Sequence, residues 1–486
     1  MNQTSARLGD LVASLAGNAR VMGDPERTIL GVTLDSRQVK RGWLFVAMKG
    51  ERTDGHLHIL QAVLNGASAV VMSEPHELPA AVVGIVVPDT ALAVSHIADA
   101  FYAHPSQALD VVGITGTNGK TTTVHMLAAM CAAGGEPCGT MGTLGAKFSA
   151  YERHLENTTP LAPQLHAVLA DMRHAGAHAV AMEVSSHALA LHRVANVRFT
   201  VGALTNITRD HLDFHKTPEA YVNAKRALFE MAERCVLNAD DALGVAWAAQ
   251  IAPGKQVVTY GSHHAADVRA ERVESSTAGS AFFVDGTHFV TALPGAFNVS
   301  NALCALACAR TLGVSDVDSA RGLLKVKRVA GRMEHAGGGG IDVVVDYSHT
   351  PDALENALKT LREGTRGRLI VVFGCGGDRD RGKRREMGAV AARLADLSYV
   401  TSDNPRSEDP AAIIADIEPG LGGAPYRGIV DRAEAIEAAV SGAQPGDVVL
   451  IAGKGHETYQ IVGEEIRPFD DLAFARRALA KREIHA

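Results

Sequence analysis

Lys120 stands in "GTNGKTTT" (116–123), behind two glycines and ahead of a run of threonines, an order of residue types suited to holding a polyphosphate. Gly116 and Gly119 let the backbone curl until its N–H groups face an anion, and a helix starting at the lysine adds its positive end. The Lys120 ammonium then neutralises phosphate charge, and the Thr121 hydroxyl is a hard ligand for the magnesium that accompanies ATP. The stretch departs from the strict G-x-x-x-x-G-K-[ST] pattern: Ile114 takes the first glycine position, with Gly113 just before it. Set between an apolar run, "DVVGIT", and an amphipathic one, "VHMLAAMCAAGG", the loop still predicts nucleotide binding.

Three further residues bear on the same chemistry. "AMEVSSH" puts Glu183 at the end of an apolar run, where a carboxylate oxygen suits a hard cation such as Mg2+. His211, in "TNITRDHLDFH", is a poorer magnesium ligand by type, and most of the 21 histidines read as surface or satisfied side chains. Lys225 lies in "TPEAYVNAKRALFEMA", which predicts a helix with Thr217 at its N-cap and Pro218 in its first position. Tyr221, Val222, Leu228 and Phe229 are three or four residues away, so the lysine falls on the apolar side. Burial favours the neutral amine, which can add carbon dioxide to give a metal-binding carbamate. The helix taken alone favours a plainer reading, an ammonium snorkelling to water along an apolar stem.

Four motifs place charge where apolar runs end. "SDNPRS" (402–407) follows "LADLSYVT", and a turn accounts for Asp403, Asn404 and Pro405 but not for Arg406. "DYSHTPDAL" (346–354), "GCGGDRDRGKR" (374–384) and "AGKGHETYQ" (452–460) end three other such runs. In an open parallel sheet ligands gather outside the carboxyl ends of the strands, so four polar ends on one edge predict a site. Arg379 and Arg406 are suited to grip a carboxylate, and Asp403 and Glu457 to hold an ammonium. A solvated loop explains any one of these motifs; it explains the set poorly.

To position such motifs the chain needs parallel sheets, and short apolar runs do alternate with helical stretches along it. The strands expected are "ILGVTLDS", "GWLFVAM" and "SAVVMS", then "DVVGIT", "AHAVAMEV", "FTVGALTNI", "RCVLN" and "KQVVTYG", then "IDVVVDY", "RLIVVFG", "LSYVTSD" and "DVVLIAG". At 486 residues the length predicts about three domains. The polar stretch "YAHPSQALD" (102–110) and the glycine run at 337–340, just after "GRMEH", mark segments 1–108, 109–331 and 332–486. A net charge of -7 argues against nucleic acid as the main partner. No apolar run reaches the roughly 18 residues of a membrane span, and "MNQTSARLGD" lacks an apolar signal core, so neither membrane insertion nor export is expected. The six cysteines form no CxxC pair and read as reduced thiols, Cys304 and Cys308 as small core residues.

The set "GTNGKTT", "EVSSH", "TNITRDHLDFH", "NAKRALF", "GAFNVSN", "GRME", "DYSHTPDAL", "DNPR" and "GKGHE" resembles the Mur ligase family over nearly the whole chain. "DNPR" is the pattern of members that add diaminopimelate rather than lysine. The resemblance implies an α/β fold of three domains: a small α/β N-terminal domain for a uridine nucleotide, a central P-loop ATPase-type parallel sheet with helices on both faces, and a C-terminal Rossmann-like domain for an amino acid. It sets Leu34, Ser36, Glu51, Arg52 and Thr53 against UDP, and Asn157, Thr158, Thr159, Ser185 and Arg193 around the muramoyl dipeptide and its phosphates. Leu191 stands where some relatives carry Gln. Gly116, Thr117, Asn118, Gly119, Lys120, Thr121 and Thr122, with Asn301, Arg332 and His349, are implied at ATP. Thr121, Glu183, His211 and a carbamylated Lys225 are implied at magnesium, against the plainer reading of that lysine. Arg379, Asp403, Asn404, Pro405, Arg406, Gly453 and Glu457 are implied at diaminopimelate.

The activity implied is amide formation driven by ATP and Mg2+, with Lys120, Lys225, Glu183 and His211 as the catalytic group. A monomer in the cytoplasm would join meso-2,6-diaminopimelate to UDP-N-acetylmuramoyl-L-alanyl-D-glutamate through an acyl phosphate, as a step of peptidoglycan precursor synthesis. Two alternatives stay open: a related ligase adding lysine or another amino acid, and a P-loop switch that turns over nucleotide without any amino acid.

Overall fold

The structure, a computed structural model, describes residues 5–50, 53–251, 254–338 and 340–485. Its internal contacts define two compact units, one of residues 1–113, 136–202 and 224–234, the other of 114–135, 203–223 and 235–486.

The first unit opens with a five-stranded sheet in the order Arg20–Met22, Val83–Val86, Ala67–Met72, Trp43–Val46, Val32–Thr33. The last four of these pair in parallel and Arg20–Met22 is antiparallel. Apolar residues cover both faces: Leu44, Val46, Val71 and Ile85 pack with the helix Thr90–Phe101, while Phe45, Val70 and Met72 pack with Ile59 and Ala62. Asp89 starts that helix by accepting hydrogen bonds from the N–H groups of Ala91 and Leu92. The single strand expected from "ILGVTLDS" is two short ones, Thr28–Ile29 and Val32–Thr33. Gly31 separates them, and a Cβ there would stand 2.4 Å from the Trp43 ring. The helix-like stretch near 56–66 is a 3-10 turn, Gly55–His58, followed by a short helix, Ile59–Leu64.

The middle of the chain supplies a nine-stranded sheet in the order Tyr151–Arg153, Gly145–Phe148, Cys138–Gly142, Ala179–Glu183, Asp110–Thr115, Val201–Leu204, Arg234–Asn238, Gln256–Gly261, Val268–Arg269. All five strands expected here are present. The hairpin strands at 138–153 were not expected, nor was the antiparallel sheet Glu271–Ser276, Gly279–Val284, Thr287–Thr291. In the second unit the helix Lys120–Ala133 packs on Ala296–Thr311 and Asp316–Leu323. Gly322 lets the last of these approach closely, since a Cβ would fall 2.4 Å from the Ala129 carbonyl oxygen.

The second unit also holds a six-stranded sheet, Glu334–Gly338, Asp342–Asp346, Val448–Ala452, Leu369–Phe373, Leu397–Val400, Tyr426–Gly428. Its first pair is antiparallel and the rest are parallel. The four strands that end in polar motifs are therefore consecutive, with their carboxyl ends on one edge. Helices cover both faces, started by Thr350, Asp409 and Asp431, whose side chains cap Pro351–Gly364, Pro410–Leu421 and Arg432–Gly442. Among the described residues no helix is long and apolar enough to cross a membrane.

Candidate active site

In the second unit the loop at 116–119 is bent by its glycines. Gly116 has φ +146°, and a Cβ there would meet the Thr205 hydroxyl oxygen at 1.9 Å; Gly119 has φ +86°, with Asn301 Oδ1 2.2 Å from where its Cβ would stand. No other residue fits either position. The helix Lys120–Ala133 follows with no side-chain cap, so its first turn is suited to an anion. Lys120 Nζ is drawn over the loop by the carbonyls of Gly116 (2.9 Å) and Thr117 (2.8 Å). The Thr117 hydroxyl meets Tyr221 OH at 2.8 Å and accepts from Thr208 N at 2.9 Å, fixing the loop to the segment that carries His211. Thr122 is buried in the helix's first turn.

Residues of the last segment reach this loop. Arg332 donates to the Thr121 hydroxyl at 3.1 Å while its guanidinium lies 4.4 Å from the Tyr347 ring centroid. Asn118 donates to Asp352 Oδ2 at 2.9 Å. His349 and His211 both face Asp210 Oδ2, at 3.8 and 3.3 Å. Burial pushes the Asp210 carboxyl up, but these two histidines and Lys383 outweigh it and hold it well below the usual range. Asp210, Asp352 and Tyr221 were missing from the expected site; each sits beside a recognised motif residue, but its role appears only when a distant segment is folded against it.

The first unit holds the other expected group. Glu183 is buried at the end of Ala179–Glu183, and its two oxygens accept from Thr143 N (2.8 Å) and the Thr143 hydroxyl (3.2 Å). Gly142 leaves room for it, since a Cβ would stand 2.3 Å from Glu183 Oε1. The hydroxyl of Thr143, missed in the sequence, also lies 3.1 Å from the Thr158 hydroxyl, from which it can accept while donating to Glu183. The Thr159 hydroxyl donates to the Glu183 carbonyl (2.8 Å) and accepts from Ser185 N (3.0 Å), and Arg193 reaches the Thr159 carbonyl at 3.1 Å. Asn157 is half-buried beside them in sequence. Lys225, on Pro218–Met231, is 1% exposed, so the reading in which it snorkels to water is wrong. The surrounding protein closes over the whole stem, which the helix's own periodicity could not reveal.

Leu34, Ser36 and Thr53 form a separate group. Leu34 packs on the N-terminal core, Ser36 starts a 3-10 turn, and the Thr53 hydroxyl meets His58 Nε2 at 3.1 Å. Glu51 and Arg52 lie outside the described residues.

The four strand ends bring the remaining residues together. Arg379, Arg406 and Asn404 surround Gly376, where a Cβ would stand 2.9 Å from Arg406 Nη1. Arg406 has φ +51° and donates to the Gly377 carbonyl at 2.8 Å, but pairs with no carboxylate among the described residues. Burial, then the neighbouring Arg379, lower its pKa. Arg379 is half-exposed, 3.9 Å from Asp213 Oδ2. Asp403 is buried, yet its carboxylate accepts no hydrogen bond from the described residues. Burial pushes it up, while Lys454, Arg432, Lys383 and His349 hold it below the usual range. Gly453, at φ +119°, approaches so closely that a Cβ would stand 2.6 Å from Asp403 Oδ2. Pro405 fixes the turn, and its carbonyl lies 1.9 Å from where a Cβ on Gly377 would be. Behind Asp403, Arg432 and Asp471 form a fully buried ion pair at 2.7 Å. Glu457 and Asn404 are bridged by Lys454, a residue absent from the expected site.

Three family profiles match the chain: "Mur ligase family, catalytic domain" over 28–102, "Mur ligase middle domain" over 114–309, and "Mur ligase, glutamate ligase domain" over 331–455. Among curated relatives, a UDP-N-acetylmuramoyl-L-alanyl-D-glutamate–2,6-diaminopimelate ligase of Geobacillus thermodenitrificans is 44% identical, covering 95% of this chain and 96% of its own. One of the same name from Gloeobacter violaceus is 44% identical over 98% of both chains. A solved structure of a ligase with that name is 35% identical, covers 95% of this chain and 96% of its own, and superposes with a TM-score of 0.65. The fold is shared more widely: a MurF ligase from Thermotoga maritima, solved in complex with ADP, has a TM-score of 0.66 at 18% identity, covering 94% of this chain and 98% of its own.

Proposed function

The chain belongs to the Mur ligase family, and from that premise we propose that it joins 2,6-diaminopimelate to UDP-N-acetylmuramoyl-L-alanyl-D-glutamate at the expense of ATP. The D-glutamyl side-chain carboxylate attacks the γ-phosphorus of ATP, ADP leaves, and an acyl phosphate results. The amine of diaminopimelate then attacks the acyl carbon, loses a proton, and expels inorganic phosphate. Lys120 supplies positive charge to the phosphates, with Arg332, Asn301 and His349 around the same nucleotide.

Thr121, Glu183, His211 and a carbamylated Lys225 are the residues we assign to Mg2+. Among the described residues no three His, Cys, Asp or Glu side chains gather to hold a metal. An ion carried largely by ATP's own oxygens needs only one or two carboxylates from the protein, and a hydroxyl, a carboxylate and a carbamate are hard donors that fit it. When bound, Mg2+ neutralises charge on the phosphates. Leu34, Ser36, Glu51, Arg52 and Thr53 are assigned to the uridine end, and Asn157, Thr158, Thr159, Ser185 and Arg193 to the muramoyl dipeptide. Segments 1–108, 109–331 and 332–486 are read as the uridine, ATP and amino-acid domains of a cytoplasmic monomer.

One observation supports the choice of amino acid. A buried carboxylate, Asp403, and a half-buried guanidinium, Arg406, lie three residues apart, the first without a hydrogen-bond donor and the second without a carboxylate among the described residues. A ligand end bearing both an ammonium and a carboxylate satisfies both, and diaminopimelate has such an end after its other amine has reacted. Lysine lacks the second carboxylate and leaves Arg406 unpaired.

The test is phosphate release with the UDP-muramoyl dipeptide and ATP, with diaminopimelate, lysine or no amino acid. Release that depends on diaminopimelate, with an amide product, is expected. Equal release with lysine would refute the specificity, and release without any amino acid would favour a nucleotide-driven switch.

A further inference from the structure

The Lys454 ammonium has no exposure to solvent, and it lies 3.0 Å from Asn404 Oδ1 and 3.1 Å from Glu457 Oε2. Asn404 Nδ2 donates to the same Glu457 oxygen at 3.0 Å, and Asn404 Oδ1 also accepts from Ile461 N at 3.0 Å. With two donors aimed at Oδ1 and an acceptor facing Nδ2, this network fixes which way round the amide lies. Both lone pairs of Oδ1 are used. Asn404 therefore has nothing left with which to accept from a ligand ammonium. Its second N–H, which meets no acceptor among the described residues, is left to donate. Glu457 Oε2 is likewise taken, and Oε1 is engaged by no described residue.

We propose that Lys454 is a positioning residue of the amino-acid site: its buried ammonium turns Asn404 into a donor for the ligand's far carboxylate, alongside Arg406 and Arg379, and leaves Glu457 Oε1 with Asp403 for the far ammonium. The assignment rests on the amino-acid reading of this site given above. Lys454 also balances the two carboxylates from within the protein. Without it, Glu457 would lose the cation paired with it, and Arg406, which has no carboxylate partner among the described residues, would be free to pair with Asp403 or Glu457 and close the carboxylate-binding side of the site on itself. In the structure Arg406 is held instead by main-chain carbonyls, which leaves the rest of its guanidinium for a ligand.

Lys454→Met is the direct test, read by steady-state kinetics in the full-length enzyme. The KM for diaminopimelate is expected to rise about 10-fold or more, with the KM for ATP unchanged. A second readout separates positioning from mere support of the fold. Asp403 would lose Lys454, the cation that lowers its pKa most, and keep Arg432, Lys383 and His349, so its carboxyl would titrate higher and the acidic limb of kcat/KM for diaminopimelate would move to higher pH. An unchanged KM with an unmoved limb overturns the proposal. Should that variant fail to fold, the wild-type enzyme with diaminopimelate bound decides: the ligand carboxylate on Asn404 Nδ2 with Lys454 still on Oδ1 supports it, and a ligand ammonium on Oδ1 overturns it. Should wild type use a different amino acid, the substrate reading fails while this one is still judged, on the KM of the amino acid that supports phosphate release.

Discussion

Arg406→Ala removes the one guanidinium of the amino-acid site that is both half-buried and without a carboxylate partner among the described residues. Its Nη1 is committed to the carbonyls of Gly377 and Asn404, at 2.8 and 3.4 Å, so the ligand carboxylate would take the remaining donors. Truncating one partner of a buried, hydrogen-bonded charge pair costs about 2–5 kcal/mol. Partial exposure argues for the lower half of that range, about 2–3 kcal/mol, a rise of roughly 30- to 150-fold in the diaminopimelate KM. The backbone adds little, because alanine at φ +51° is strained much as arginine is. Arg406→Gly provides the control: it deletes the same guanidinium and relieves that strain, so it should match the alanine variant in KM while melting no lower. Coupled phosphate release over a diaminopimelate titration, with ATP and the UDP dipeptide saturating, measures the effect. A diaminopimelate KM within about twofold of wild type, in a variant with a wild-type melting temperature, would remove Arg406 from the site and with it the argument for a second carboxylate.

Gly119→Ala is expected to raise the KM for ATP about 10-fold or more and leave that for diaminopimelate alone, since a Cβ would collide with Asn301 Oδ1 and the loop cannot keep φ +86° without strain. Equal ATP kinetics in that variant would show that the loop does not hold the nucleotide as drawn. A pH effect on stability follows from His166, which is fully buried near Asp99 and whose pKa burial lowers to about 4. The unfolded chain takes up that proton first as pH falls, so stability drops between about pH 6.5 and 4, by about 2 kcal/mol at pH 5. Urea denaturation of His166→Met at pH 7.5 and 5 should show that much less acid sensitivity than wild type, and identical slopes would refute the assignment.

The buried strands were legible because each is a short apolar run followed by a change to glycine and charge, as in "RLIVVFG" before "CGGDRDRGKR". The strands that escaped notice have no such signature. Glu271–Ser276 is exposed along its whole length, and Cys138–Gly142 is interrupted by glycine, so neither carries an apolar run. Lys225 shows the limit of helical periodicity: spacing put the amine on the apolar side, but whether its tip reaches water depends on what the rest of the protein lays over it. Thr143 and Asp210 failed to register for a related reason. Neither stands in a pattern that singles it out, and each matters through a contact, Thr143 with Glu183 and Asp210 with His349, made across a gap in sequence that only folding closes.

Lys454 was hidden in a motif already recognised, because a lysine among glycines reads as solvent-facing or phosphate-binding until its burial is known. Its charge changes what the neighbouring acceptors can do. Lys454 pairs with Glu457 and Arg379 lies 3.9 Å from Asp213 Oδ2, so Arg406 is the cation of the site left without a carboxylate partner among the described residues before a ligand arrives. The far end of diaminopimelate is neutral overall, and its carboxylate is the partner that Arg406 lacks. A lysine substrate adds only positive charge in the same place: its side chain brings no anion for Arg406, and a cation joins a cluster where Arg379 already lowers the Arg406 pKa. Discrimination then comes as much from repelling the wrong amino acid as from gripping the right one.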